Sequence, residues 1–176
     1  MNGSIVMKSQ EGVGSEFAIN LTFTKSTEHH GLDLNSSNYS KYKNAELSDL
    51  SVLIVDDNEL NRMVLKKFMD KWQVASDSAE NGLVALEKLH QKKFDIVLLD
   101  LQMPEMDGYE LAEAMSVHAA LQSLPIIAIS ADTISNVYEK VVASGMDDFI
   151  TKPFNPDELK SKIYLHVSKV KGVKEV

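Results

Sequence analysis

The stretch "VLIVDDNELNR", residues 52–62, ends a run of β-branched and aliphatic residues in two adjacent carboxylates, Asp56 and Asp57. Crowding like charges is unfavourable, because each raises the other's pKa unless a cation sits with them. Further along, "DIVLLD" ends on Asp100, "PIIAIS" on Ser130 and "DFITKP" on Lys152 and Pro153. Taken singly, an Asp or Ser after an apolar run reads as a helix cap and a Lys as a solvated charge. Taken together, three carboxylates, a hydroxyl and an ammonium are complementary in a way that independent caps need not be. Oxygen ligands without nearby Cys or His favour a hard ion, and Mg²⁺ (or Mn²⁺) needs only a few protein oxygens. A carboxylate facing such an ion can act as a nucleophile on phosphorus, with Lys152 neutralising phosphoryl charge and Ser130 donating a hydrogen bond.

These residues can meet only if the chain brings strand ends together. The apolar runs Val52 to Val55, Ile96 to Leu99 and Ile126 to Ile129 are short, continuous and rich in Val, Ile and Leu, as strands buried on both faces of a parallel sheet are. Val74 to Asp77 and Asp148 to Thr151 are fainter strands. Helices are expected over Leu60 to Trp72, with Leu60, Met63, Val64, Phe68 and Trp72 near one side, then Leu83 to Lys92, Tyr109 to His118, Ile134 to Ser144 and Pro156 to Lys169. Such alternation predicts an α/β fold, a doubly wound five-stranded parallel sheet with helices on both faces. Its ligand site should lie at the carboxyl ends of the strands.

With 176 residues and 44% hydrophobic content, the chain has room for one ordinary domain and an appendage. The net charge of −8 argues against a nucleic-acid partner. There is no cysteine, which excludes disulfides and thiolate chemistry and agrees with a cytoplasmic setting. No apolar stretch approaches the ~18 residues of a membrane span, so no membrane contact by this chain is expected. Residues 26–49 read as a polar linker and 171–176 as a tail. His29 and His30 fall in the linker, and His90, His118 and His166 show no ligand-like spacing.

The segments "VLIVDDNELNR", "DIVLLDLQMPEMDGYEL", "PIIAISA" and "MDDFITKPFNPDEL" resemble, in order, the signature segments of response-regulator receiver domains. The resemblance spans residues 50–170 and implies a flavodoxin-like sheet of strand order 2-1-3-4-5. It implies Asp100 as phosphoacceptor, and Asp56, Asp57, Asp100 and the main-chain carbonyl of Gln102 as ligands of Mg²⁺. It further implies Ser130 as switch hydroxyl, Phe149 as switch aromatic, Lys152 as the lysine of the site, and a cis peptide before Pro153. Gln102 and Asp132 would tune the lifetime of the acyl phosphate. In the loop after Asp100, Pro104 would fix φ and Gly108 would permit an unusual φ. The surface of the fourth helix and fifth strand would be the readout, with Tyr138, Met146 and the last helix as candidate partner surface. The partner would be a histidine kinase domain or a histidine phosphotransfer protein, the donor a phosphohistidine.

Ahead of the linker, "GSIVMKSQEGVGSEFAINLTF" reads as two strands joined by a glycine turn, a unit that is marginal alone. Its Gly12, Gly14 and Phe17 resemble the final Gly-rich box of a histidine-kinase ATP-binding domain, which implies residues 1–25 as a remnant and the chain as the carboxyl-terminal part of a hybrid histidine kinase, a class that includes membrane-anchored proteins. The rest of such a kinase domain is missing, so kinase activity is not expected here. Two other readings stay open. One is a receiver that binds partners without being phosphorylated. The other is a Mg²⁺-dependent phosphohydrolase with an Asp nucleophile, although such enzymes carry a second acid two residues on, where this chain has Gln102.

Overall fold

The structure is a computed structural model that describes residues 3–10, 12, 14–21, 46–131 and 134–171. The chain divides into two units after Leu34. The first holds an antiparallel hairpin of β1 (Gly3–Gln10) and β2 (Gly14–Leu21), in register from Gly3 opposite Leu21 to Gln10 opposite Gly14. Gly12 and Gly14 have φ of 77° and 124°, a region that L side chains rarely adopt, so glycine is what lets this turn close. Ile5, Val6, Met7, Phe17 and Ile19 are all exposed, with consecutive residues of β1 pointing to opposite sides.

The second unit is built on β3 (Ser51–Val55), β4 (Ala75–Ala79), β5 (Ile96–Asp100), β6 (Ile126–Ser130) and β7 (Asp148–Thr151), all parallel in the order β4-β3-β5-β6-β7. Counted from β3 this is 2-1-3-4-5, as expected. The helices are α1 (Glu59–Lys71), α2 (Gly82–Gln91), α3 (Gly108–Ser116), α4 (Ile134–Ala143) and α5 (Pro156–Lys171). Among the described residues no helix is long and apolar enough to cross a membrane.

Alternation along each strand sorts the core into two layers. Leu53, Val55, Val97, Leu99 and Ala128 face Ala85 and Leu89 of α2, Leu111, Ala112 and Met115 of α3, and Val141 of α4. Val52, Ile54, Ile96, Leu98, Ile127 and Ile129 face Leu65 and Met69 of α1 and Leu159, Ile163 and Val167 of α5. Leu98 is wholly buried, and its truncation to Ala is expected to cost about 2–5 kcal/mol. The packing reaches back to the buried Leu47, inside the segment read as linker from the sequence.

Two details depart from the sequence reading. On α1 the buried residues are Leu65 and Met69, flanked by Phe68 and Trp72, while Leu60, Met63 and Val64 are exposed. Apolar residues on nearly every side let the 3.6-residue period be drawn two ways, and the sheet chose. Strand β4, "ASDSA", lies one to two residues later than the expected Val74 to Asp77. It is an edge strand whose register comes from pairing with β3, not from its own hydrophobicity.

Candidate functional site

Of the helices that begin on the rim where the strands end, the first three each have their own side-chain cap. Asn58 caps α1, its Oδ1 accepting the N–H groups of Leu60 (2.9 Å) and Asn61 (3.4 Å). Asn81 caps α2 through the Val84 N–H, and Asp107 with Glu110 forms a reciprocal capping box on α3. Asp56, Asp57 and Asp100 are therefore not needed as caps, which removes the simplest alternative account of them.

Asp56 is buried, with 1% of its surface exposed, and is held from several sides. Its Oδ1 accepts the Asn58 N–H at 2.9 Å, and Asn61 Nδ2 lies 3.1 Å from both carboxylate oxygens. Arg62 Nη1 donates to the carbonyl oxygens of Asp56 (2.7 Å) and Asp57 (2.9 Å), pinning the turn that presents the acid pair. Asn61 and Arg62, in the same "DDNELNR", take part in the site only through these contacts. Their signal was their position one helical turn after the acids.

Asp100 closes β5 and is also buried. Its Oδ1 accepts the Gln102 N–H at 3.3 Å. Lys152 joins the two acids: its Nζ donates to Asp56 Oδ2 at 2.9 Å and Asp100 Oδ2 at 2.7 Å, across a chain separation of 96 and 52 residues. The Lys152 N–H donates to the Ser130 carbonyl at 2.7 Å, and the Lys152–Pro153 peptide is cis. Carboxylate oxygens of Asp56, Asp57 and Asp100 lie within 4.8 Å of one another, with Asp57 the exposed member. Three carboxylates at that spacing, open on the Asp57 side, suit a hard divalent cation completed by water.

Burial raises the pKa of Asp100 because it desolvates the carboxylate, and the Asp56 charge adds to this, while Lys152 only partly opposes it. For Lys152, burial works against the ammonium, but its bonds to Asp100 and Asp56 hold its pKa above the ordinary value. The site has more negative charge than its lysine can balance.

Ser130 ends β6, buried, opposite Thr151 in register. Phe149 is 9% exposed and packs in the same layer as Val141 and Met146, with Lys162 Nζ 5.8 Å from its ring centroid. Met146 is thus core, not partner surface. Asp132 lies outside the described residues, as do His29 and His30 and the side chain of Tyr138. Gly108 serves closeness, not an unusual φ: a Cβ there would meet the Asp100 carbonyl oxygen at 2.4 Å and Leu101 Cα at 2.9 Å. The left-handed residue of the loop is Glu105, at φ 68°. His90 and His118, which have no sequence spacing in common, stack edge to face with centroids 5.0 Å apart.

Comparison with known proteins bears on the family and the fold. The family model for the response regulator receiver domain matches residues 52–164. The chain is 33% identical over 161 residues to the autoinducer 2 sensor kinase/phosphatase LuxQ of Vibrio parahaemolyticus, covering 90% of this chain and 18% of that protein. It is 32% identical over 123 residues to the sensor histidine kinase RcsC of Escherichia coli, covering 70% of this chain and 13% of RcsC. The chain therefore spans less than a fifth of the length of these relatives. Among solved structures, the receiver domain of a signal transduction histidine kinase from Syntrophus aciditrophicus superposes with a TM-score of 0.66 at 28% identity, over 72% of this chain and 96% of that one. The receiver domain of Francisella response regulator 1452 gives 0.63 at 28% identity, over 69% and 98%. An acid cluster bridged by lysine at the strand ends, the strand order and the match over residues 52–164 converge: this chain belongs to the response regulator receiver domain family of two-component signalling.

Proposed function

We propose that the chain accepts a phosphoryl group on Asp100 from the phosphohistidine of a histidine kinase domain or histidine phosphotransfer protein. A carboxylate oxygen of Asp100 attacks phosphorus, the P–N bond breaks, and the imidazole leaves with the electron pair and takes a proton from solvent. No general base is needed, because an ionised carboxylate is already a nucleophile. The observation that carries this reading is Lys152 Nζ, held within 2.9 Å of both Asp56 and Asp100. An ammonium there opposes the upward pull of burial on the Asp100 carboxyl and lies where phosphoryl oxygens gather.

Asp56, Asp57, Asp100 and the Gln102 carbonyl are the residues that would hold Mg²⁺ (or Mn²⁺). When bound, the ion would neutralise charge shared by the carboxylates and the phosphoryl oxygens. Arg62 and Asn61 keep the acid pair in place. Gln102, exposed beside the acceptor, and Asp132 would set access of water to the acyl phosphate. The buried Ser130 hydroxyl would bond the new phosphoryl group, and Phe149, two residues along β7 from the residue paired with Ser130, would repack in response. The exposed Leu60, Met63 and Val64 on the helix that follows Asp57 offer an apolar surface to the partner that brings the phosphohistidine.

The hairpin supports a wider reading. Strands exposed on both sides need a larger sheet, which fits residues 1–25 as the last strands of a kinase ATP-binding domain, 26–49 as linker, 50–170 as receiver and 171–176 as tail. The parent protein is then a hybrid sensor histidine kinase, with this part on the cytoplasmic side. The test is incubation of the wild type with Mg²⁺ and acetyl phosphate, read by intact mass, beside Asp100→Asn. One phosphoryl group is expected on the wild type and none on the variant. No gain on wild type, or equal gain on both, overturns the proposal.

A further inference from the structure

At the end of the sheet opposite the acid cluster, α2 and α3 finish side by side, since helices in this fold run back against the strands they follow. His90 lies in the last turn of α2, and His118 follows the C-cap of α3 by one residue. Their rings stand 5.0 Å apart between centroids at an interplanar angle of 84°, with both side chains exposed. His90 Nδ1 lies 2.6 Å from the Leu86 carbonyl oxygen. A carbonyl can only accept, so Nδ1 is the protonated nitrogen, and Nε2 of the neutral ring carries the lone pair. An N–H donated to a main-chain carbonyl is the arrangement that fixes tautomer and ring orientation in histidines that bind metals. The turn carrying His118 is fixed as well, its carbonyl accepting the N–H groups of Leu121 (2.8 Å) and Gln122 (3.0 Å).

We propose that His90 and His118 form a binding site for a divalent transition metal such as Zn²⁺ or Ni²⁺. Two neutral imidazoles suit these borderline ions and offer little to Mg²⁺, so this site and the acid cluster select different metals. The C-terminal ends of two helices place partial negative charge beside the pair, which favours a cation. The rings border an open cavity of about 680 Å³, so the remaining coordination positions face water. Of the two lysines on the same rim, Lys92 is paired with Asp77, and Lys93 is a reason for affinity to be modest. Among the described residues no third metal-binding side chain joins the pair, which makes the site a clamp between α2 and α3 with exchangeable water ligands. The absence of cysteine from the chain removes thiolate competition.

The competing histidines are the adjacent His29 and His30, so the full chain carrying His29→Gln and His30→Gln is the reference protein. Zn²⁺ is titrated calorimetrically with Mg²⁺ present throughout to fill the acid cluster, and circular dichroism checks the fold of each variant. One equivalent is expected to bind, and adding either His90→Gln or His118→Gln should weaken binding by about tenfold or more, as loss of a ligand must cost at least what loss of its supporting bond costs. Cu²⁺ as a second probe should show imidazole nitrogen couplings in its electron paramagnetic resonance spectrum that disappear with either variant. A reference protein that binds no Zn²⁺, or a site that survives both substitutions, overturns the proposal. Neither outcome bears on phosphorylation of Asp100, which is read by mass in the absence of transition metal.

Discussion

Asp100 and Asp148 are aspartates of the same sheet, each bonded to a lysine ammonium, at 2.7 and 2.6 Å. Their carboxyl groups move in opposite directions. Burial raises Asp100, with Asp56 adding a second charge and one ammonium shared between the two acids. Burial opposes ionisation of Asp148 as well, but here one acid has two basic partners, His166 Nε2 at 2.9 Å and the buried Lys162, and its pKa falls below the ordinary value. The difference lies in how many basic partners each acid has, not in the distance to its lysine. Asp148 is saturated and ties α5 to the edge strand. The acid cluster is left with surplus negative charge, a feature that costs stability and suits a site awaiting a cation and a phosphoryl group.

The comparison breaks most visibly in chemistry. Asp100→Asn should abolish phosphoryl labelling entirely, whereas Asp148→Asn should retain it, as intact mass will show. In stability the order reverses. Asp148→Asn should cost about 3 kcal/mol in urea unfolding, the low end for breaking a buried pair because part of the Asp148 side chain stays exposed. Without Mg²⁺, Asp100→Asn should be neutral or stabilising. If Asp100→Asn proves the more destabilising, the surplus-charge account fails.

Gly108→Ala sharpens the point that the backbone of Asp100, the proposed acceptor, is under close constraint. A Cβ 2.4 Å from the Asp100 carbonyl oxygen must displace backbone, for an expected loss of about 2 kcal/mol and slower labelling. Asn61→Ala removes the amide that spans both Asp56 oxygens. It should weaken Mg²⁺ binding by about tenfold in calorimetry, with little change in unfolding free energy.

The smallest effect is in pH. Asp148 has a folded pKa below its unfolded one, so its contribution is complete above the ordinary carboxylate value and is lost as pH falls through the folded value. Asp100 is raised, so its contribution is present below the ordinary value and lost as pH rises through the folded value. Urea unfolding of the metal-free protein between about pH 3 and 8 should therefore show Asp100→Asn gaining on the wild type as pH rises past about 4. Asp148→Asn should instead lose less than the wild type at the acid end. Parallel profiles for all three proteins would contradict the assignment.

Much of this was legible in the residues. The strands β3, β5 and β6 could be read because burial on both faces leaves uninterrupted Val, Ile and Leu, and each ends beside its candidate site residue. The edge strand β4 and the true face of α1 could not, since Ser76, Asp77 and Ser78 belong to a strand only through pairing with β3, and α1 has apolar residues on more than one side. Gly108 was read as a turn residue, yet its role is to let the chain pass against Asp100, a contact no local pattern reports.

By itself the order of residue types determined the alternating fold and marked Asp56, Asp57, Asp100, Ser130 and Lys152 as candidates, because strand ends are marked where hydrophobicity stops. Only the tertiary structure decided how those charges are shared. Lys152 bridges two acids 96 and 52 residues away, Asp148 collects two bases from α5, and His90 meets His118 across two helices. The physical reason is that pKa and coordination depend on distances of a few ångströms between groups far apart in the chain, and packing of the sheet and its helices sets those distances.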